Sequence, residues 1–571
     1  MKNRNLILLL AVLMGGVSCS ESFLEREPYG STLTQKQYEN LSGTLEGSMR
    51  GIYAMLYTKT STSHDEFGKR SIDLFSDMLS SDMALTAHSY GWFYSDENLQ
   101  SATQRTSYTW TYYYKMLRNI NMVVSGASTR AESEGEDGVV TKIAKYGVPT
   151  AHAKNSSKET IYYTISAAGD TLCSFTEAEA DIASCYAQAL TMRGYVYSNM
   201  INLYSPTTDA IFDMEGSLAN YSSVPLYNEN NINSPQGYSK VSELYTQVES
   251  DLTTAIDYFE AFSETTKRSS DNKLEVDINV ARSLLAYSYL NKANRKAAST
   301  SDSYRLPYQN ALKYAKQVIE SGEYRVIPNA SVWSTGFNNV SDASWIWGQE
   351  VVTETATGLA SWFGQVDIHS YSYAWAGDTK VIDENLYNEI PSFDARKRWF
   401  NDGSTNSTFK LCPDGKFFSA KSPVSTKSDD IDREWLSDNV FMRVESDYLI
   451  AAEASFRLGE YGEAKKYLQA ITDQRVDTAA GAQAAYQNYI DNLTSANMLS
   501  AIEYNWRVEM WGEGYGLQTF RRLSPETTGD TKRRRGGNHC ALSGTEIDAT
   551  ADQYTFRIPS SETSYNPILN Q

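Results

Sequence analysis

Nine stretches of this 571-residue chain repeat apolar side chains at intervals of three and four. That period places them on one face of an α-helix. The stretches are 38–56, 110–124, 178–203, 238–259, 279–293, 308–320, 447–458, 463–475 and 498–511. Two sets are adjacent: 279–293 with 308–320, and 447–458 with 463–475 across Gly459-Glu460-Tyr461-Gly462. A short glycine-bearing link between helical periods is an αα-hairpin, and these pairs have about the length of a tetratricopeptide unit. The predicted fold is therefore mostly α: a tetratricopeptide-like helical-pair scaffold (α-α superhelix) with long irregular loops and a few short strands. A chain of this length suggests several domains by size, but helical arrays grow by stacking rather than by thickening one core.

Between the helical periods the texture changes. Residues 325–440 are rich in Ser, Thr, Asn, Asp, Gly and Trp, and 133–175 and 524–553 read as loops. Ser344-Trp345-Ile346-Trp347-Gly348 suggests a short strand with Trp345 and Trp347 on one side, in the core. Trp110, Trp506 and Trp511 lie on helical periods and are assigned to packing. The basic run Lys532-Arg533-Arg534-Arg535, set among Thr, Asp and Gly, reads as a solvated loop rather than an anion site.

The first residues carry a separate instruction. Lys2 and Arg4 precede the apolar run 6–14, then Gly15-Gly16-Val17-Ser18 lead into Cys19. A cationic start, a short apolar segment and small residues describe a secretory leader, and a cysteine at the cut site describes a bacterial lipoprotein signal with Cys19 lipidated. The expected organisation is a signal peptide at 1–18, a lipidated tether at 19–37 and a helical domain at 38–571, with loop-rich insertions near 325–440 and 524–553.

The formal charge of -19 argues against nucleic acid as a partner, because phosphate binding needs clustered Lys and Arg. Cys173, Cys185, Cys412 and Cys540 show no CxxC spacing, and the five histidines form no HExxH pattern. No metal or cofactor is therefore implied.

The chain has 40 Tyr and 11 Trp, side chains that join an apolar face to a polar tip. Such residues suit a surface that handles wet, weakly apolar ligands. Two clusters fall outside helical periods. One is Tyr90-Gly91-Trp92-Phe93-Tyr94. The other is Trp362-Phe363, followed by Gln365, Asp367, His369, Tyr371, Tyr373 and Trp375. On an extended segment, Tyr371, Tyr373 and Trp375 would share one side; the same alternation also describes a half-buried strand. The candidate ligand-binding residues are Trp92, Tyr94, Trp362, Tyr371, Tyr373 and Trp375. A glycoside hydrolase would need two carboxylates at a set separation. Asp378, Asp383 and Glu384 lie near the second cluster, where solvated loop charges explain them equally well.

Several motifs resemble the SusD/RagB family of lipoproteins. Cys19 with Ser22-Phe23-Leu24-Glu25 and Pro28 looks like the family's mature start, as does Gly51-Ile52-Tyr53 at the end of the first helix. Trp110, Tyr113-Tyr114-Lys115, Asn121, Arg193-Gly194-Tyr195, Val224-Pro225-Leu226 and Asp251-Leu252 continue the likeness. It runs on through 315–324, Arg443-Val444, 448–454, Arg507 to Gly514 and Ile558-Pro559-Ser560-Ser561-Glu562. After Gly514 the family commonly has Asp-Leu-Arg-Arg where this chain has Gly516-Leu517-Gln518-Thr519-Phe520-Arg521-Arg522, a divergence in detail that leaves the implied fold intact. The resemblance implies a helical, non-enzymatic binder anchored on the outer face of the outer membrane. It implies a SusC-like TonB-dependent transporter as partner and oligosaccharide as ligand, with peptide as the alternative within the family's breadth.

Overall fold

The computed structural model describes residues 41–59, 63–87, 89–90, 93, 99–128, 149, 151–154, 156–165, 168–169, 171–175, 177–206, 220–263, 272–295, 297–328, 337–368, 371–404, 407–417, 437–540, 544–551 and 554–570. Cys19 and the whole segment 1–37 lie outside the described residues.

The N-terminal half runs α1 (Leu41–Ala54), α2 (Lys69–Leu79), β1 (Met83–Leu85) and α3 (Gln104–Ser128). Strands β2 (Ala151–Lys154), β3 (Thr160–Ile165) and β4 (Thr171–Phe175) follow. Then come α4 (Glu177–Tyr204), α5 (Val241–Ala261), α6 (Ile278–Lys292) and α7 (Asp302–Ile319). The loop-rich region holds β5 (Trp345–Gln349), α8 (Trp362–Val366), β6 (Lys380–Ile382) and α9 (Glu384–Glu389). After β7 (Asn439–Arg443) come α10 (Val444–Arg457), α11 (Tyr461–Thr472), α12 (Ala482–Asp491) and α13 (Met498–Glu509). The chain closes through α14 (Gly516–Thr527), β8 (Lys532–Arg534), β9 (Glu546–Asp548) and α15 (Ser560–Tyr565).

Each helix in the series α3, α4, α5, α6, α7, α10, α11 packs on the next, so the helical-pair scaffold is as the periodicity predicts. The closest approach is specific. A Cβ on Gly194 of α4 would lie 2.6 Å from the Leu252 side chain of α5, so only glycine lets these helices meet this closely. Beside it the buried Arg193 donates to Asp251 at 2.8 and 2.7 Å and to Asn121 Oδ1 at 2.9 Å, which joins α3, α4 and α5. Helix α2 is buried along its whole length and packs against α14. Trp110, Trp345, Trp347, Trp506 and Trp511 are all buried.

The strands form small antiparallel sheets, β1 with β6, β5 with β7, β8 with β9, and β2-β3-β4. Two expectations are corrected here. Part of the loop-like stretch 133–175 is the three-stranded sheet, because Thr160–Ile165 is dense in β-branched and aromatic residues. The basic run near 532 is strand β8 rather than a solvated loop. Its Arg533 bonds Asp82 at 3.1 Å and Glu503 at 2.7 Å, and Arg535 is buried.

Candidate functional site

The loop between α8 and β6 carries the second aromatic cluster. Helix α8 starts at Ser361, whose hydroxyl accepts from Gly364 N–H at 2.9 Å. The chain then folds back on itself. Tyr373 N–H donates to Gly364 O at 2.9 Å, Asp378 N–H to Tyr373 O at 2.9 Å, and Trp375 N–H to Ser372 Oγ at 3.0 Å. The Ser372 hydroxyl donates in turn to Asp367 O. These bonds make residues 371–377 a series of turns rather than an extended segment, so the predicted alternation is replaced by a different geometry. Tyr371 and Trp375, four residues apart, face solvent at 49% and 48% exposure, with ring centroids 5.8 Å apart. Tyr373 points inward and is buried.

Trp362 is also corrected. At 1% exposure its ring lies in the core, edge-on to Phe417 at 4.7 Å and beneath the Arg70 guanidinium at 5.1 Å. The apolar surface it removes from water explains its placement better than any ligand does. Trp92, Tyr94 and His369 lie outside the described residues. Their neighbour Tyr90 is 46% exposed and meets Tyr373 edge-on at 4.9 Å. The two aromatic clusters, far apart in sequence, therefore meet through Tyr90 and Tyr373.

A polar layer lies below the rings. The Tyr373 hydroxyl and His64 Nδ1 share a hydrogen bond of 2.7 Å, and Gln365 Nε2 donates to His64 O at 3.0 Å. The buried Lys380 donates to Gln365 Oε1 at 3.0 Å and Asp378 Oδ2 at 3.2 Å, and its ammonium lies 5.4 Å from the Phe93 ring centre. Burial first, and Lys59 second, hold the His64 ring below its ordinary pKa of 6.5, so it is neutral at pH 7. Sequence reasoning missed His64, which stands in a polar loop with no local signal. Tyr90 was within reach as part of the first cluster.

The carboxylates weighed for catalysis have structural partners. Asp378 is buried against Lys380. Asp383 caps α9 through Leu386 N–H at 2.9 Å and meets His539 Nε2 at 3.0 Å. Burial pushes its carboxyl up, but hydrogen bonds from His539, Leu386 and Gly536 together hold it below the ordinary carboxylate range, the wrong direction for a general acid. Glu384 lies 3.9 Å from Lys410.

The densest cluster of perturbed charges lies elsewhere and is buried. Arg443 donates to Glu509 Oε1 at 2.8 Å and to Glu513 at 2.9 Å, and Arg475 donates to Glu509 at 2.8 and 3.0 Å. Lys416 donates to Glu513 and to the Glu509 and Trp511 carbonyls at 2.7 to 2.8 Å. Burial pulls Lys416 down to about 8 despite Glu513 beside it. Burial would raise the Glu513 carboxyl, but Arg443 and Lys416 overcome it and hold it low. These charges are enclosed and pair with one another, so they do not open to a substrate. The Arg443 and Glu509…Glu513 motifs meet in this buried cluster.

A separate groove of about 750 Å³ lies between α1 and the end of β5, with Tyr53, Tyr57, Leu274 and Val352 in its wall. Of the predicted ligand-binding residues, the four that are described, Trp362, Tyr371, Tyr373 and Trp375, do not line it. Among the described residues, no group of three or more His, Cys, Asp or Glu could hold a metal, and no helix is long and apolar enough to cross a membrane.

Residues 361–571 match the SusD family model. Similar solved structures include a SusD-like carbohydrate binding protein from Bacteroides vulgatus, 20% identical with a TM-score of 0.62, covering 92% of this chain and 97% of that one. A SusD superfamily protein from Bacteroides thetaiotaomicron is 18% identical with a TM-score of 0.64, covering 92% and 98%. Another from Bacteroides fragilis is 16% identical with a TM-score of 0.61, covering 93% and 99%. No curated protein matches the chain.

Proposed function

Since residues 361–571 match the SusD family model and the fold is that of SusD superfamily structures, we propose that the chain is a SusD/RagB-type protein and a cell-surface glycan-binding lipoprotein. It captures oligosaccharide and delivers it to a SusC-like TonB-dependent transporter, without chemistry of its own. The observation that carries this reading is the exposed ring surface of Tyr371 and Trp375, on a loop pinned from beneath by Tyr373 and His64, with the exposed Tyr90 edge-on to Tyr373. Rings held this way offer flat apolar faces at little cost in lost side-chain freedom, which suits the C–H faces of a sugar. The Bacteroides vulgatus protein of the same fold is itself called carbohydrate-binding. In this reading Cys19 carries the lipid and 20–37 is the tether on the outer face of the outer membrane.

Isothermal titration of the mature protein against oligosaccharide and peptide panels tests the proposal. Glycan binding without product is expected. Peptide binding alone would shift the reading to a peptide-capturing lid of the same transporter type, and release of shorter sugars would make the protein a hydrolase. Cys19→Ala should release the protein from membranes with its fold intact. A large barrel protein should co-purify with the lipidated form.

A further inference from the structure

A small polar cavity of about 30 Å³ lies where the C-terminal turn of α4, the end of α6 and the middle of α14 converge, with Arg295, Arg521 and Arg522 in its wall. Two of these arginines are matched by acids. Arg522 donates to Glu453 at 2.9 and 3.1 Å and to Asn291 Oδ1 at 2.8 Å, and Arg295 lies 3.3 Å from Glu526.

Among the described residues Arg521 has no acidic partner. It is 3% exposed, and its hydrogen bonds go to neutral groups: Asn202 O at 3.0 Å, Tyr554 O and Thr555 Oγ1 at 3.4 Å. Its Nε–H has no acceptor among the described residues. The Asn202 carbonyl belongs to the last turn of α4, whose dipole offers only a fraction of a negative charge. That carbonyl is also shared with Gln518 Nε2 at 2.6 Å. Burial pulls the Arg521 guanidinium down to about 10, so it remains charged at neutral pH. A buried cation without a counter-charge is strongly disfavoured.

We propose that this cavity binds a single small inorganic anion, which supplies the counter-charge that Arg521 lacks. Arg522, Arg295 and Gln518, also in the cavity wall, would complete its cationic and donor lining. The volume suits one ion, since a water molecule needs about 10–15 Å³ measured in this way. Glu526 is shared with Arg457, so around the wall four arginines face two glutamates and positive charge is in excess.

Crystals of the wild-type protein soaked in sodium bromide give the direct test, read by anomalous scattering. A bromide peak between Arg521 and Arg522 is the expected result, and bromide peaks found only elsewhere overturn the proposal. In solution, exchanging sodium gluconate for sodium bromide or sodium phosphate at fixed ionic strength should raise the wild-type melting temperature by about 1–3 °C. Arg521→Gln should lose that rise; an equal rise in both proteins overturns the proposal. The crystal experiment does not depend on the variant folding.

Discussion

The Tyr373 hydroxyl lies 2.7 Å from His64 Nδ1, and this contact ties the loop beneath Trp375 to the segment that follows α1. The His64 pKa is held below 6.5 by burial and by Lys59. A histidine lowered on folding binds fewer protons folded than unfolded across the window just below 6.5. Its contribution to stability is full above that window and is lost as pH falls through the folded value. Glycan affinity should therefore weaken between pH 7 and pH 5, and His64→Asn should flatten the dependence. Titration calorimetry at several pH values checks this; a wild-type affinity independent of pH over that range would contradict it.

Gly514 should not tolerate a side chain. Its φ is +87°, in the left-handed region, and a Cβ there would lie 2.4 Å from Asp73 Oδ1 on α2. The conformation alone costs a non-glycine residue about 1–2 kcal/mol, and displacing Asp73 would disturb its 2.9 Å bond from Lys69. Gly514→Ala should lower stability by about 2 kcal/mol or more, measured by denaturant unfolding. Gly529→Ala, with φ +70° but open space around it, should cost only the conformational part.

The helices were readable because each long one buries a stripe at helical period, as in Val241, Leu244, Val248 and Leu252 of α5. The candidate site was readable only in part. Tyr371 and Trp375 were found by composition, but their separation from Tyr373 is decided by turns that the Ser372 side chain helps to close. Nothing in an alternating aromatic pattern distinguishes those turns from a strand. Trp362 was misread because α8 has five residues, too few to display a period. His64 joins the site through a contact 309 positions along the chain, beyond the reach of any local pattern.

Arg443→Met should be severely destabilising. The arginine serves Glu509 and Glu513 together and lies 3.1 Å from Glu445; removing it takes from Glu513 its main counter-charge and leaves Glu509 to Arg475 and Arg396. Breaking a buried pair in this way costs about 3–5 kcal/mol. Arg443→Lys should recover only part of that loss, because an ammonium cannot reproduce the fork that reaches both acids. Urea midpoints for the two variants give the comparison, and near-wild-type stability of Arg443→Met would show that the cluster is not needed for folding.

The sharpest separation of fold from function lies between two tryptophans of one loop region. Trp362 and Trp375 are 13 positions apart, yet one is in the core and the other is half exposed. Trp362→Ala removes a ring packed on Phe417 and Arg70 and should cost about 3–5 kcal/mol of stability. Trp375→Ala removes a surface ring and should change stability by no more than about 0.5 kcal/mol. Its effect belongs in binding, where losing one stacked ring is worth about 1–2 kcal/mol, or roughly 5–30-fold in affinity. Tyr371→Ala should act in the same direction, since the two rings are neighbours. Paired thermal melts and glycan titrations on the three variants read both quantities. If Trp375→Ala and Tyr371→Ala both retain full affinity, the ligand does not rest on this surface, whatever the stability of Trp362→Ala.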